Sequence, residues 1–104
     1  MNQRGDKNRQ SDISGHQVFY HPKVVKYDIP RLIKTERNRV KIAVENKIVI
    51  DPVLYGTPLR GVYKQYWKLR VGNWRIVYTL RRKAVYILII AHRKDVYQIG
   101  ERRL

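Results

Sequence analysis

The sequence has no cysteine, and only one methionine, one phenylalanine and eight acidic residues in 104 positions. Without thiols there is no disulfide and no thiolate metal site, so stability has to come from packing and hydrogen bonds. The three histidines, His16, His21 and His92, lack the spacing of a ligand set, which argues against a metal centre. No apolar run reaches the roughly 20 residues of a membrane span, and the N-terminus lacks the apolar core of a secretion signal. The expected compartment is the cytoplasm, with no membrane partner. There is no internal repeat and no low-complexity tract.

What the sequence has is positive charge. Twenty-three lysines and arginines against eight acids leave a formal charge of +15 and a pI near 10.5. Such a surface attracts phosphates or an acidic protein and gains from counterion release. At 104 residues the chain is one small domain with a modest two-layer core. Residues 1–15 have almost nothing to bury and carry mixed charge, so they read as a disordered extension, with the domain at 16–104. Val18-Phe19-Tyr20 reads as a first strand ended by His21-Pro22, and Pro22 suits the first turn of a helix.

A longer helical pattern runs from Asp28 or Pro30 to about Lys47, with Ile29, Ile33, Val40 and Val44 on one side and basic residues away from that stripe. Asp28 is its expected N-cap, and Asp51-Pro52 marks its end. A loop through Tyr55-Gly56-Thr57-Pro58 leads on, so the expected order is strand, helix, helix, three antiparallel strands.

Residues 58 to 97 hold those three strands and ten lysines and arginines against one acid, Asp95. Side chains alternate along a strand. Lys64, Tyr66, Lys68 and Arg70 therefore share one face, and Tyr63, Trp67, Leu69 and Val71 the other. Val71-Gly72-Asn73 reads as a tight hairpin turn. On the returning strand Ile76, Tyr78 and Leu80 point one way and Arg75, Val77 and Thr79 the other, so Arg75 joins Lys68 and Arg70. Arg81-Arg82-Lys83 makes the next turn. Ala84 to Ala91 is apolar almost without interruption, as expected of a strand buried on both faces, and it ends in His92-Arg93. One face of the sheet is cationic and the other is core.

Three motifs in this order, Pro58-Leu59-Arg60-Gly61, Tyr66 to Tyr78 (YWKLRVGNWRIVY) and His92 to Tyr97 (HRKDVY), resemble the RelE/ParE superfamily of bacterial type II toxins. The resemblance covers roughly residues 17 to 97. It implies an α+β fold, a small antiparallel sheet with an N-terminal helical hairpin on one face. It also implies a ribosome-dependent endoribonuclease that cuts messenger RNA in the decoding site without metal or cofactor, by attack of a ribose 2′-hydroxyl on the adjacent phosphate. The implied partners are the ribosome, messenger RNA and a cognate acidic antitoxin, in a toxin–antitoxin hetero-oligomer. ParE-like members, which poison DNA gyrase, are the alternative, as is a non-catalytic nucleic-acid-binding relic.

Carried over by position, Lys68 and Arg75 resemble the family's phosphate-holding residues, Arg93 its leaving-group arginine, and Tyr97 its substrate-orienting tyrosine. The position two before Lys68, a lysine and candidate base in some members, is Tyr66 here. His92 is the first replacement considered, because histidine is the residue type suited to proton transfer near neutral pH, and Tyr66 the second. Tyr66, Arg70, Lys64 and Trp74 are further RNA-binding candidates. Each has a plainer rival: Arg70 as a solvated charge, Trp74 as packing, His92 as a strand-end residue without a duty. Trp67 is assigned to packing and Arg60 to its own loop. With seven residues after Tyr97, a C-terminal helix of a turn or two is expected.

Overall fold

The computed structural model describes residues 15–104, so the extension expected over residues 1–15 lies outside the described part except for Gly15. Strand β1, Gln17–Tyr20, leads into a helical arm made of a π-helical turn, Val24–Asp28, and a 3-10 turn, Ile29–Arg31. Helix α1, Lys34–Ala43, continues as a π-helical stretch, Val44–Ile48. Then come α2 (Pro52–Tyr55), a two-residue strand β2 (Thr57–Pro58), a 3-10 turn (Gly61–Tyr63), β3 (Tyr66–Val71), β4 (Trp74–Arg81), β5 (Ala84–His92) and α3 (Val96–Arg103). The five strands form one sheet in the order β1-β5-β4-β3-β2. β1 runs parallel to β5, and the other pairs are antiparallel.

The helical hairpin covers one face of this sheet. Val24, Leu32, Val40, Val44 and Ile48 pack on Leu69, Val71, Ile76, Tyr78, Val85, Ile87 and Ile90, with Trp67 and Trp74 against the same cluster. The alternation read over Tyr66–Val71 and along β4 is the observed one, but Tyr63, expected on the core face, lies in the 3-10 turn before β3 and faces the opposite side of the sheet. Tyr78 is fully buried at the centre of the layer, and its hydroxyl donates to Pro52 O at 2.7 Å. Burial, with a contribution from Asp51, pushes its pKa up to about 12. Gly56 lies against that hydroxyl so closely that a Cβ there would overlap it.

The helices differ from expectation in one respect. No single helix runs from Asp28 to Lys47: the backbone is extended at Leu32 and Ile33, and α1 starts at Lys34 with the Glu36 carboxylate accepting from Ile33 N–H at 3.0 Å. Ile33, expected on the apolar stripe, is 64% exposed, whereas Leu32 beside it is buried. The break goes with the burial of Leu32 in the core, as the chain leaves the first arm there and reverses direction into α1. Asp28 is accordingly not an N-cap. It lies where the two turns of the first arm join, makes no side-chain cap hydrogen bond, and has its carboxylate buried.

Strand β5 contains the second difference. Ile89 stands opposite Val77 and Ile87 opposite Tyr78, so Leu88 is one residue in excess. Such a bulge reverses the alternation of the strand. Val85 and Ile87 face the helical hairpin before it and Ile90 after it, while Ile89 and Ala91 turn to the other face. There they meet Val77 and Ile99, so α3 closes a second, smaller apolar cluster on the far side of the sheet. β1 ends at Tyr20 and leaves the edge of β5 without a strand beside the bulge. Asp28 and Arg103 fill that gap. Ile90 N–H donates to Asp28 Oδ2 at 2.8 Å, and Arg103 Nη1 donates to Leu88 O at 3.0 Å. The two side chains are paired through both guanidinium nitrogens, at 2.6 and 3.1 Å. No helix of the described residues is long and apolar enough to cross a membrane.

Candidate active-site cleft

The face of the sheet opposite the hairpin carries Lys68 and Arg70 on β3 and Arg75 on β4, because each lies one position from a residue committed to the core. Arg70 and Arg75 are directly opposite across the β3–β4 hairpin. Gly72 makes the tight turn possible, at φ +60°, a conformation that side chains other than glycine's resist. Arg93 follows β5, and its N–H donates to Asn73 O at 2.8 Å, which ties the end of β5 to the same turn.

These residues line a cleft of about 750 Å³ between the sheet, the Thr57–Tyr63 segment and α3. Its charged lining is Arg60, Lys68, Arg70, Arg75 and Arg93 against one acid, Glu101. Tyr97, 73% exposed, stands at the cleft from the first turn of α3. The Arg75 guanidinium donates to Gly72 O and Trp74 O, both at 3.0 Å, and so is held over its own turn. Partial burial, then Arg70 and Arg93, lower the Arg75 pKa, and the Tyr97 phenol opposes that shift. The cleft is therefore short of negative charge, and a phosphate entering it relieves the repulsion among the guanidiniums.

Of the residues singled out in the sequence, Lys68, Arg70, Arg75, Arg93 and Tyr97 come together here. His92 does not. It stands opposite Trp74 in the β4–β5 register, and its ring lies edge-on to the Trp74 indole, with centroids 5.6 Å apart. Paired residues share a face, so both rings are on the hairpin side, where Trp74 packs against the core. His92 Nδ1 accepts from Lys94 N–H at 3.2 Å. The bulge sets this arrangement, since it determines which of two successive residues, His92 or Arg93, faces the cleft. Tyr66 is half-buried against the smaller cluster, Trp74 serves packing, and Lys64 is exposed outside the cleft lining.

Two lining residues escaped the sequence reading. Arg60, assigned there to its loop, borders the cleft. Glu101 does too, one turn along α3 from Tyr97, and the i, i+4 spacing of the two residues was the available signal. Among the described residues no group of three or more histidines and acids is placed to hold a metal ion.

No protein-family model matches the sequence, and no curated protein does. Solved structures match over most of the chain. A chain of the toxin–antitoxin complex RelBE2 from Mycobacterium tuberculosis superposes with a TM-score of 0.70 at 21% identity, covering 75% of this chain and 98% of that one. The RelB–RelE antitoxin–toxin complex from Methanococcus jannaschii gives 0.62 at 24% identity, over 78% and 96%. A free-state mutant of the toxin RelE from E. coli gives 0.64 at 19% identity, over 86% and 98%. The fold is that of RelE-like toxins.

Proposed function

We propose that the chain is the toxin of a toxin–antitoxin pair and that it cuts messenger RNA in the ribosomal decoding site, without metal. The observation that carries this reading is the convergence of Lys68, Arg75 and Arg93, from three successive strands or their ends, with Tyr97 in one cleft. The similarity in fold to chains of toxin–antitoxin complexes supports the partner half of it.

In the proposed reaction a ribose 2′-oxygen loses its proton and attacks the adjacent phosphorus. The bond from phosphorus to the 5′-oxygen then breaks, leaving a 2′,3′-cyclic phosphate. Lys68 and Arg75 stabilise the charge added to the phosphoryl oxygens. Arg93 stabilises the departing 5′-oxygen, which takes a proton from water. Glu101 is the base of this scheme, as the carboxylate among the cleft-lining residues. Tyr97 orients the substrate.

In vitro translation followed by primer extension tests the reading. The wild type should leave cuts in register with codons, and an Arg75→Ala, Arg93→Ala double variant none. Inhibited DNA supercoiling with intact messenger RNA would point instead to gyrase as the target.

A further inference from the structure

Outward positions on the cleft face of the sheet are mostly polar or basic, as Gln17, Lys68, Arg70 and Arg81 are. A row of aromatic residues breaks that pattern. Tyr63, in the cleft lining, has its ring 6.3 Å from that of Tyr66. Tyr66 stands opposite Thr79 on β4, Thr79 opposite Tyr86 on β5, and Tyr86 opposite Phe19 on β1. Phe19 and Tyr86 are stacked, with centroids 5.2 Å apart and planes 18° from parallel. All four strand positions point away from the hairpin, because their neighbours Val18, Val85, Tyr78 and Trp67 point into its core.

Tyr66 packs in part on the smaller cluster, but Phe19 and Tyr86 belong to neither core cluster. β1 is seated by Val18, half-buried on the main core, and by its backbone ladder to β5. Phe19 remains 45% exposed and Tyr86 36%. Thr79 is the short residue between Tyr66 and Tyr86, and its hydroxyl is turned to Gln65 O at 2.9 Å. With strands about 4.8 Å apart, the row from Tyr66 to Phe19 crosses about 14 Å of sheet.

We propose that this row is a second binding site, a stacking platform for unpaired bases of single-stranded RNA whose backbone continues into the cleft. The proposal rests on the nuclease reading for the cleft, and the row supplies the flanking subsite. Three observations favour RNA over a protein as occupant. The row is continuous with the cationic cleft through Tyr63. Arg81 flanks it on the same face, one position along from Thr79, where a phosphate would lie, because Arg81 pairs with Ala84 and Ala84 with Gln17. Strands β1, β3, β4 and β5 contain no acidic residue to repel a backbone. Aromatic rings on an open sheet beside basic side chains are the usual means of holding splayed bases, because every base offers a π-face.

The test uses the full chain and oligoribonucleotides methylated at every 2′-oxygen, which lack the attacking hydroxyl and stay intact. Affinities of a trinucleotide and an octanucleotide are measured by fluorescence anisotropy at fixed salt, for the wild type, for Phe19→Leu with Tyr86→Leu, and for Phe19→Trp with Tyr86→Trp. The wild type should bind the octanucleotide about tenfold or more tightly than the trinucleotide. The leucine variant should lose that gain, and the tryptophan variant should keep it. An octanucleotide with abasic flanking positions should bind the wild type as weakly as the intact one binds the leucine variant, with no further loss when the two changes are combined.

Equal gains in wild type and leucine variant, both folded, would overturn the proposal. So would undiminished affinity for the abasic probe, or loss in the tryptophan variant as well. Binding of an uncleavable probe is independent of catalysis. If translation extracts show no codon-register cuts while the length-dependent gain follows the rings, the platform stands and the nuclease reading falls.

Discussion

Arg70 and Arg75 stand opposite each other in a hairpin, an arrangement that costs stability because like charges paired across strands repel. In the proposed function a phosphate entering the cleft offsets that repulsion. Lys68→Ala is the cleaner probe, since Arg75 also bonds two carbonyls of its own turn. Lys68→Ala should leave the unfolding midpoint within about 0.5 kcal/mol of wild type and lower the cleavage rate by about 10²–10³. Chemical denaturation beside a cleavage time course measures both, and a large fall in stability would mean that Lys68 holds the sheet together.

Glu101 and His92 make opposite predictions. Glu101→Gln keeps the shape of the side chain and removes the proposed base, so the rate should fall by about 10²–10⁴ with melting unchanged. His92→Gln should cut at nearly the wild-type rate, since its ring lies across the sheet from the cleft. Single-turnover rates on programmed ribosomes decide between them. If His92→Gln is the inactive variant, the proton goes to a group outside the cleft as described.

At the scale of elements, the Asp28–Arg103 pair connects three of them: the first helical arm, the bulged edge of β5 and the last turn of α3. Asp28 is 1% exposed, and the Arg103 side chain 9%. Asp28→Asn leaves a guanidinium buried without its counter-charge and should cost about 3–5 kcal/mol. Replacing both partners with apolar residues often restores such a loss. Here it should not, because Ile90 N–H and Leu88 O would lose their partners, at about 1–3 kcal/mol each. Urea titration of wild type, Asp28→Asn and Asp28→Leu with Arg103→Met measures the difference. A double variant as stable as wild type would mean that the bulge holds itself. Because the bulge directs Arg93 to the cleft and α3 carries Tyr97 and Glu101, destabilising the pair should also slow cleavage.

For the whole molecule, charge is the dominant property. The formal charge is +15 over 104 residues; five of the cations line the cleft against one acid, and α1 carries Lys34, Arg37, Arg39 and Lys41 on the other side of the sheet. The proposed antitoxin should therefore be acidic and associate quickly at low salt, with a rate that falls steeply as ionic strength rises. Stopped-flow association at several salt concentrations tests this, and a rate indifferent to salt would show that charge does not guide the encounter.

Some of this was determined by the sequence alone. In β3 and β4 apolar and polar residues alternate, and the alternation has only one phase that buries Leu69, Val71, Ile76 and Tyr78 together, so the placement of Lys68, Arg70 and Arg75 on one face followed from local pattern. The cationic face of the hairpin was legible in this way. The split between the first arm and α1 was not, because Ile29 and Ile33 keep helical spacing across it and only the packing of Leu32 shows the break.

β5 is the clearest case of what tertiary structure decided. Val85 to Ala91 is apolar at nearly every position, and a uniform run carries no phase, so the sequence cannot say where alternation slips or whether His92 or Arg93 faces the cleft. Asp28 and Arg103, which are 75 residues apart, supply the hydrogen bonds that the bulged edge needs, and a contact of that range leaves no periodic trace in either local segment.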